Sequence, residues 1–87
     1  MVEVTIYTRS WCGYCFRAKR LLEAKGVPFE EIDVDVDLER EREMIQRSGG
    51  RFTVPQVFID GTHVGGSDDL HELERRGELD RLLSFQS

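Results

Sequence analysis

Cysteine is scarce in this chain: there are two, standing together as Cys12-Gly13-Tyr14-Cys15. Neighbours so close cannot staple distant parts of a secreted scaffold, and a Cys-x-x-Cys in a reducing compartment points to redox or metal chemistry instead. Long apolar runs are also missing. No stretch approaches the ~20 apolar residues that span a bilayer, and Met1 to Tyr7 lacks the basic start and long apolar core of a signal peptide. The expected compartment is therefore the cytoplasm, with no membrane partner. There is no basic excess, because 12 Lys and Arg against 17 Asp and Glu leave a net charge of -5. An acidic chain does not neutralise phosphates, so no nucleic-acid partner is expected. Nor is there a second hydrophobic unit, internal repeat, linker or low-complexity segment. With 87 residues, 39% hydrophobic and 33% charged, the expectation is one folded domain spanning residues 1–87.

The remaining residues fall into periodic segments. Val2, Val4 and Ile6 alternate with Glu3, Thr5 and Tyr7, which predicts a strand ending at Thr8 or Arg9. After a loop from Ser10 to Tyr14, Phe16, Ala18, Leu21, Leu22 and Ala24 recur at helical spacing, and Gly26 with Pro28 supplies a stop. Phe29 to Val34 reads as a second strand, parallel to the first because a helical crossover joins them. Leu38 to Ser48 reads as a charged second helix closed by Gly49-Gly50. Val57-Phe58-Ile59 and Thr62-His63-Val64 flank Asp60-Gly61, a dipeptide suited to a type I′ hairpin turn. Ser67 is expected to N-cap a third helix with Asp68 and Asp69 in its first turn, and Gly77 to divide it from a short last helix carrying Leu79, Leu82 and Leu83. The order β-α-β-α-β-β-α-α predicts an α/β fold: a mixed, four-stranded sheet flanked by helices on both faces.

In such sheets ligands collect beyond the carboxyl ends of parallel strands, where Cys12 falls. A thiol reacts as its thiolate, and a helix N-terminus favours an anion through its unpaired N–H groups and dipole. Cys12 is therefore the expected nucleophile, and Cys15, within the first turn beneath it, the expected resolving thiol. Arg9, Arg17, Lys19, Arg20 and Lys25 lie around the pair, whereas Glu30 to Glu43 is strongly acidic, so the cysteine end is expected to be electropositive. Other readings of the pair fit less well. A disulfide closing so short a loop removes little unfolded-state entropy. Zinc would need two more ligands, and His63 and His71 are eight positions apart, outside the finger spacing. Haem attachment needs histidine where Phe16 stands.

The chain also resembles a known family along nearly its whole length: the dithiol glutaredoxins of the short bacterial type. The resemblance rests on Ile6-Tyr7-Thr8-Arg9 before Cys12-Gly13-Tyr14-Cys15, on Thr53-Val54-Pro55-Gln56-Val57-Phe58-Ile59, and on Gly65-Gly66-Ser67-Asp68-Asp69-Leu70. It implies a thioredoxin-like fold, a cis Val54-Pro55 peptide facing the cysteines, and glutathione held in a groove between these blocks by Arg9, Tyr14, Thr53, Val54, Pro55, Gly66, Ser67 and Asp68. On the residues alone Pro55 reads as a plain turn proline, since about one X-Pro bond in twenty is cis. Gly65-Gly66 lets backbone approach a ligand, and the Ser67 and Asp68 N–H groups could receive the γ-glutamyl carboxylate, although the same residues also make an ordinary turn and cap. Arg9 replaces the family's usual lysine, a cation near thiolate and substrate with different hydrogen-bond geometry.

Two departures from the family pattern stand out. Gly13 replaces the commonest active-site proline, and Gly49-Gly50-Arg51-Phe52 is a longer lead into the Thr-Val-Pro block. Gly13 makes the loop more permissive and opens space beside Cys12. Relatives with a small residue there include some that bridge a [2Fe-2S] cluster between two subunits through the first cysteine and glutathione. The expected function is thus glutathione-dependent reduction of glutathione mixed disulfides and protein disulfides by a monomer without a metal. The alternatives are a cluster carrier or sensor dimer that binds [2Fe-2S] through Cys12, and a thioredoxin-like hydrogen donor. Trp11-Cys12-Gly13 is similar to thioredoxins, whereas Tyr14 and the Gly65 to Leu70 block favour glutathione.

Overall fold

Strand β1 (Val4–Thr8) is buried on both faces along its five residues, because it is a central strand of a four-stranded sheet with order β2-β1-β3-β4. These features come from a computed structural model that describes residues 2–83. The elements continue with α1 (Gly13–Ala24), β2 (Glu30–Asp33), α2 (Leu38–Arg47), β3 (Gln56–Ile59), β4 (Thr62–Gly65), α3 (Ser67–Arg75) and the short α4 (Leu79–Leu82). The β-α-β-α-β-β-α-α order and the mixed sheet are those expected from the sequence. β2 runs parallel to β1 with Tyr7 opposite Ile32, and β3 antiparallel with Ile6 opposite Val57. The hairpin β3–β4 turns at Asp60 (φ 51°) and Gly61 (φ 80°), the paired positive angles of a type I′ turn, and sets Phe58 opposite His63.

Strand alternation divides the core in two. Val4, Ile6, Val57 and Ile59 point to one face and pack with Ala18 and Leu22 of α1, Leu70 of α3, and Leu79 and Leu83. Tyr7, Ile32, Val34 and Phe58 cover the other face against Met44 of α2. Burial of each large apolar side chain contributes about 1.5–3 kcal/mol before chain entropy is set against it. On the α2 face the Tyr7 hydroxyl also donates to Glu43 and accepts from Arg47 Nη1 at 2.7 Å, and the Arg47 guanidinium lies 4.2 Å from the Phe58 ring centroid.

Three local expectations are corrected. Helix α1 begins at Gly13, inside the segment expected to be a loop up to Tyr14, because Cys12 takes an extended conformation and caps it, its Sγ accepting from Cys15 N–H. Ser67 is the first helical residue of α3 rather than its cap. Gly66 holds the cap position, and the Asp69 carboxylate reaches back to accept Gly66 N–H at 2.9 Å. The electropositive cysteine end is largely neutralised: β2 lies beside β1 and brings the acidic segment with it, pairing Arg9 with Asp35 and Glu41 and Lys19 with Glu31, while Lys25 meets Glu74 and Asp80. Arg17 and Arg20 remain exposed.

Candidate active site

The two cysteines occupy the start of α1, directly beyond the carboxyl end of β1. Both are free thiols, Cys12 partly exposed and Cys15 buried. Cys12 Sγ accepts the Cys15 N–H at 3.2 Å, so an orphan amide of the helix end is aimed at the sulfur, a contact that stabilises negative charge there. Burial, reinforced by the neighbouring Cys12 sulfur, pushes the Cys15 thiol up to about 12. Cys15 is thus held as a protonated thiol beneath the partly exposed Cys12.

Cys12 Sγ lies 4.0 Å from the carbonyl oxygen of Val54, and the Val54–Pro55 peptide is cis, as the family resemblance implies. This places Cys12 at the edge of a groove of about 340 Å³ lined by Tyr14, Arg51, Thr53, Val54, Pro55, Gly66, Ser67, Asp68 and Asp69, within the size range of small-ligand sites. One wall is the irregular segment 51–55, the other the N-terminus of α3. The two walls approach closely at Gly66, where a Cβ would lie in ordinary contact, 3.4 Å from the Pro55 carbonyl oxygen and 3.7 Å from Arg51 Nη2.

Seven of the eight residues expected to hold a ligand, all but Arg9, come together in this groove. The Arg9 guanidinium is directed instead to Asp35 at 2.7 Å and to Glu41, and it holds the Asp35 carboxyl below its ordinary range. The cation at the groove is Arg51, which reaches Asp69 across its mouth at 3.4 Å. Sequence reasoning gave neither Arg51 nor Asp69 a site role. The Gly66-x-x-Asp69 spacing has the acidic third residue of a capping box, a signal that Asp69 folds back over the helix start. Arg51 lies two positions before Thr53, in the lead segment that departs from the family pattern. Its backbone is fixed by buried Ser48, whose Oγ accepts from Arg51 N at 3.1 Å and lies 2.9 Å from Arg51 O.

Comparison with known proteins agrees with the geometry. The glutaredoxin family model matches residues 4–64. A glutaredoxin of Pseudomonas aeruginosa is 56% identical over 84 residues, covering 97% of this chain and 99% of that relative. Among solved structures, the glutaredoxin of Brucella melitensis superposes with a TM-score of 0.83 at 57% identity, covering 95% of this chain and 89% of the other. The buckwheat glutaredoxin–glutathione complex superposes with a TM-score of 0.86 at 32% identity, covering 95% and 77%. With a buried and a partly exposed thiol at a helix start, a ligand-sized groove beside them, and relatives that span nearly all of its length, the chain belongs to the glutaredoxin family of glutathione-dependent thiol-disulfide oxidoreductases.

Proposed function

We propose that Cys12 is the nucleophile that takes the glutathionyl group from a glutathione mixed disulfide, and that the groove beside it holds the glutathione moiety. The observation that carries the reading is the meeting of the Cys12 sulfur with the groove edge at Val54. Glutathione is an extended peptide with two carboxylates and one ammonium. The Val54 backbone is available to pair with its central residue as an added strand would. The Ser67 and Asp68 amides at the start of α3 suit its γ-glutamyl carboxylate, Arg51 suits the other carboxylate, and Asp68 suits the ammonium. Tyr14 forms an amphipathic side wall.

In the first step the Cys12 thiolate attacks the glutathione sulfur. A sulfur–sulfur bond forms between Cys12 and glutathione, the original disulfide breaks, and the substrate leaves as a thiolate that takes a proton from water. A second glutathione thiolate then attacks the same glutathionyl sulfur, restoring Cys12 and releasing oxidised glutathione. With a protein disulfide, Cys12 forms the mixed disulfide. Cys15 attacks the Cys12 sulfur, the bond from Cys12 to the substrate protein breaks, the departing protein thiolate takes up the proton that Cys15 gives up, and two glutathiones reduce the resulting internal disulfide. The partners of this reading are glutathione and glutathionylated or disulfide-bonded proteins of the cytoplasm.

Glutathione-coupled turnover of a small mixed disulfide tests it. Cys12→Ser abolishes both activities and Cys15→Ser keeps deglutathionylation; equal loss in the two variants overturns the assignment. One observation favours a second reading, cluster binding through Cys12 and glutathione: a Cβ at Gly13 would meet nothing within 4 Å, so the position beside Cys12 is open. A colourless monomer after anaerobic reconstitution with iron, sulfide and glutathione counts against it.

A further inference from the structure

The glutathione-facing segment 51–55 belongs to no helix or strand, so ladder hydrogen bonds do not fix it. A side chain does. Gln56 is fully buried, and its Nε2 lies 3.0 Å from the Thr53 carbonyl oxygen and 3.3 Å from Thr53 Oγ1. A carbonyl only accepts, so the amide nitrogen must face Thr53 and the amide oxygen must face the other way, where His63 Nε2 stands 2.7 Å from Oε1. An amide oxygen cannot donate. His63 therefore carries its proton on Nε2, and the hydrogen bonds run in one direction from His63 through Gln56 to Thr53.

We propose that His63 is a positioning residue for the glutathione groove: its Nε2–H locks the buried Gln56 amide, which in turn fixes the backbone and hydroxyl of Thr53 beside Val54. The inference rests on the groove being the glutathione site. His63 is itself held by the hairpin, which sets it opposite Phe58 with ring centroids 5.0 Å apart. The charged groups facing it are Arg51 and Asp69. Burial and the Arg51 cation push the imidazole below its ordinary range, against the opposite pull of Asp69. Because Nε2–H is present in both the neutral tautomer and the imidazolium, the lock holds in either protonation state and is not a pH switch. Without His63, the Gln56 oxygen is a buried acceptor left unpaired. The amide can then turn over and release Thr53.

The test uses the whole protein with a glutathionylated peptide as substrate. His63→Leu should raise KM for that peptide roughly three- to tenfold, the effect of one lost hydrogen bond, with kcat and the rate of Cys12 alkylation by iodoacetamide unchanged. His63→Gln, which keeps a donor at similar reach, should restore KM to near the wild-type value. A wild-type KM in His63→Leu, or an equal rise in both variants, overturns the positioning role while leaving the glutathione site standing. No turnover of the peptide by wild type overturns both. Nitrogen-15 NMR of wild-type protein decides independently of how the variants fold: the Nε2–H tautomer is expected at neutral pH, and the Nδ1–H tautomer contradicts the proposal.

Discussion

Replacing Gly65 with alanine would place a methyl carbon 2.3 Å from Asp69 Oδ2 and 2.8 Å from its Cγ, at a backbone φ of 120°. Two costs arise. An L-residue held in that region costs about 1–3 kcal/mol. Asp69 must also swing away, giving up the Gly66 N–H bond and its contact with Arg51. Its side chain is about half exposed (51%), so the screened loss is about 1 kcal/mol. The sum, about 2–4 kcal/mol, is a large share of the stability of a domain this small. It should lower Tm by roughly 8–32 °C, at 4–8 °C per kcal/mol. The contrast is Gly13→Ala, where the new methyl meets nothing within 4 Å on a helix start; that change should be neutral or stabilise by up to about 1 kcal/mol. Urea unfolding followed by circular dichroism measures both, and a Gly65→Ala protein within about 0.5 kcal/mol of wild type would refute the reasoning. The same variant should weaken glutathione binding, since Gly66 and Asp69 line the groove.

Further outcomes are expected elsewhere. Because burial and the Cys12 sulfur push the Cys15 thiol to about 12, iodoacetamide at pH 8 should label Cys12 alone in the native reduced protein and both cysteines after denaturation, as read by peptide mass spectrometry. Tyr7→Phe removes the fully buried hydroxyl between Glu43 and Arg47 and should cost about 1–3 kcal/mol of unfolding free energy. Stability should fall with acid in two stages. His63 sits below its ordinary value through burial and Arg51, so the unfolded state takes up its proton first and stability declines as pH drops through 6.5. Burial opposes ionisation of Glu31, but hydrogen bonds from Lys19 and Thr8 outweigh it, so its carboxyl is depressed. Asp35 is depressed by Arg9 and the Ser10 N–H. Both therefore stabilise above the ordinary carboxylate range and lose that contribution as pH falls through and below it. Urea midpoints at pH 8, 6, 5 and 4 check the order, and His63→Gln should erase the first stage.

What the sequence revealed follows physical range. The period-two alternation of Val4 and Ile6, the Asp60-Gly61 turn and the Gly26 stop are local signals, and each element they predict is present. The pairing of Arg9 with Asp35 and Glu41 joins residues far apart in the chain. Composition showed both charge clusters but not that parallel β2 sets one against the other. Ser67 was the better capping residue by type, yet Gly66 took the position because Asp69 satisfies its amide from the helix side. The His63–Gln56 contact depended on hairpin register. The two-residue turn already implied Phe58 opposite His63, and the step from there to Gln56, on the same strand face, could have been taken.

Trapping the glutathionyl intermediate tests the central claim most directly. Cys15→Ser protein is treated with a glutathionylated peptide, quenched, digested and mapped by mass spectrometry, with Cys12→Ser alongside. One glutathionyl group on Cys12, released by added glutathione, and none on Cys15 of the Cys12→Ser protein is the expected result. A Cys15→Ser protein that takes up no glutathionyl group, or a Cys12→Ser protein that takes it up on Cys15 at the same rate, would contradict the account.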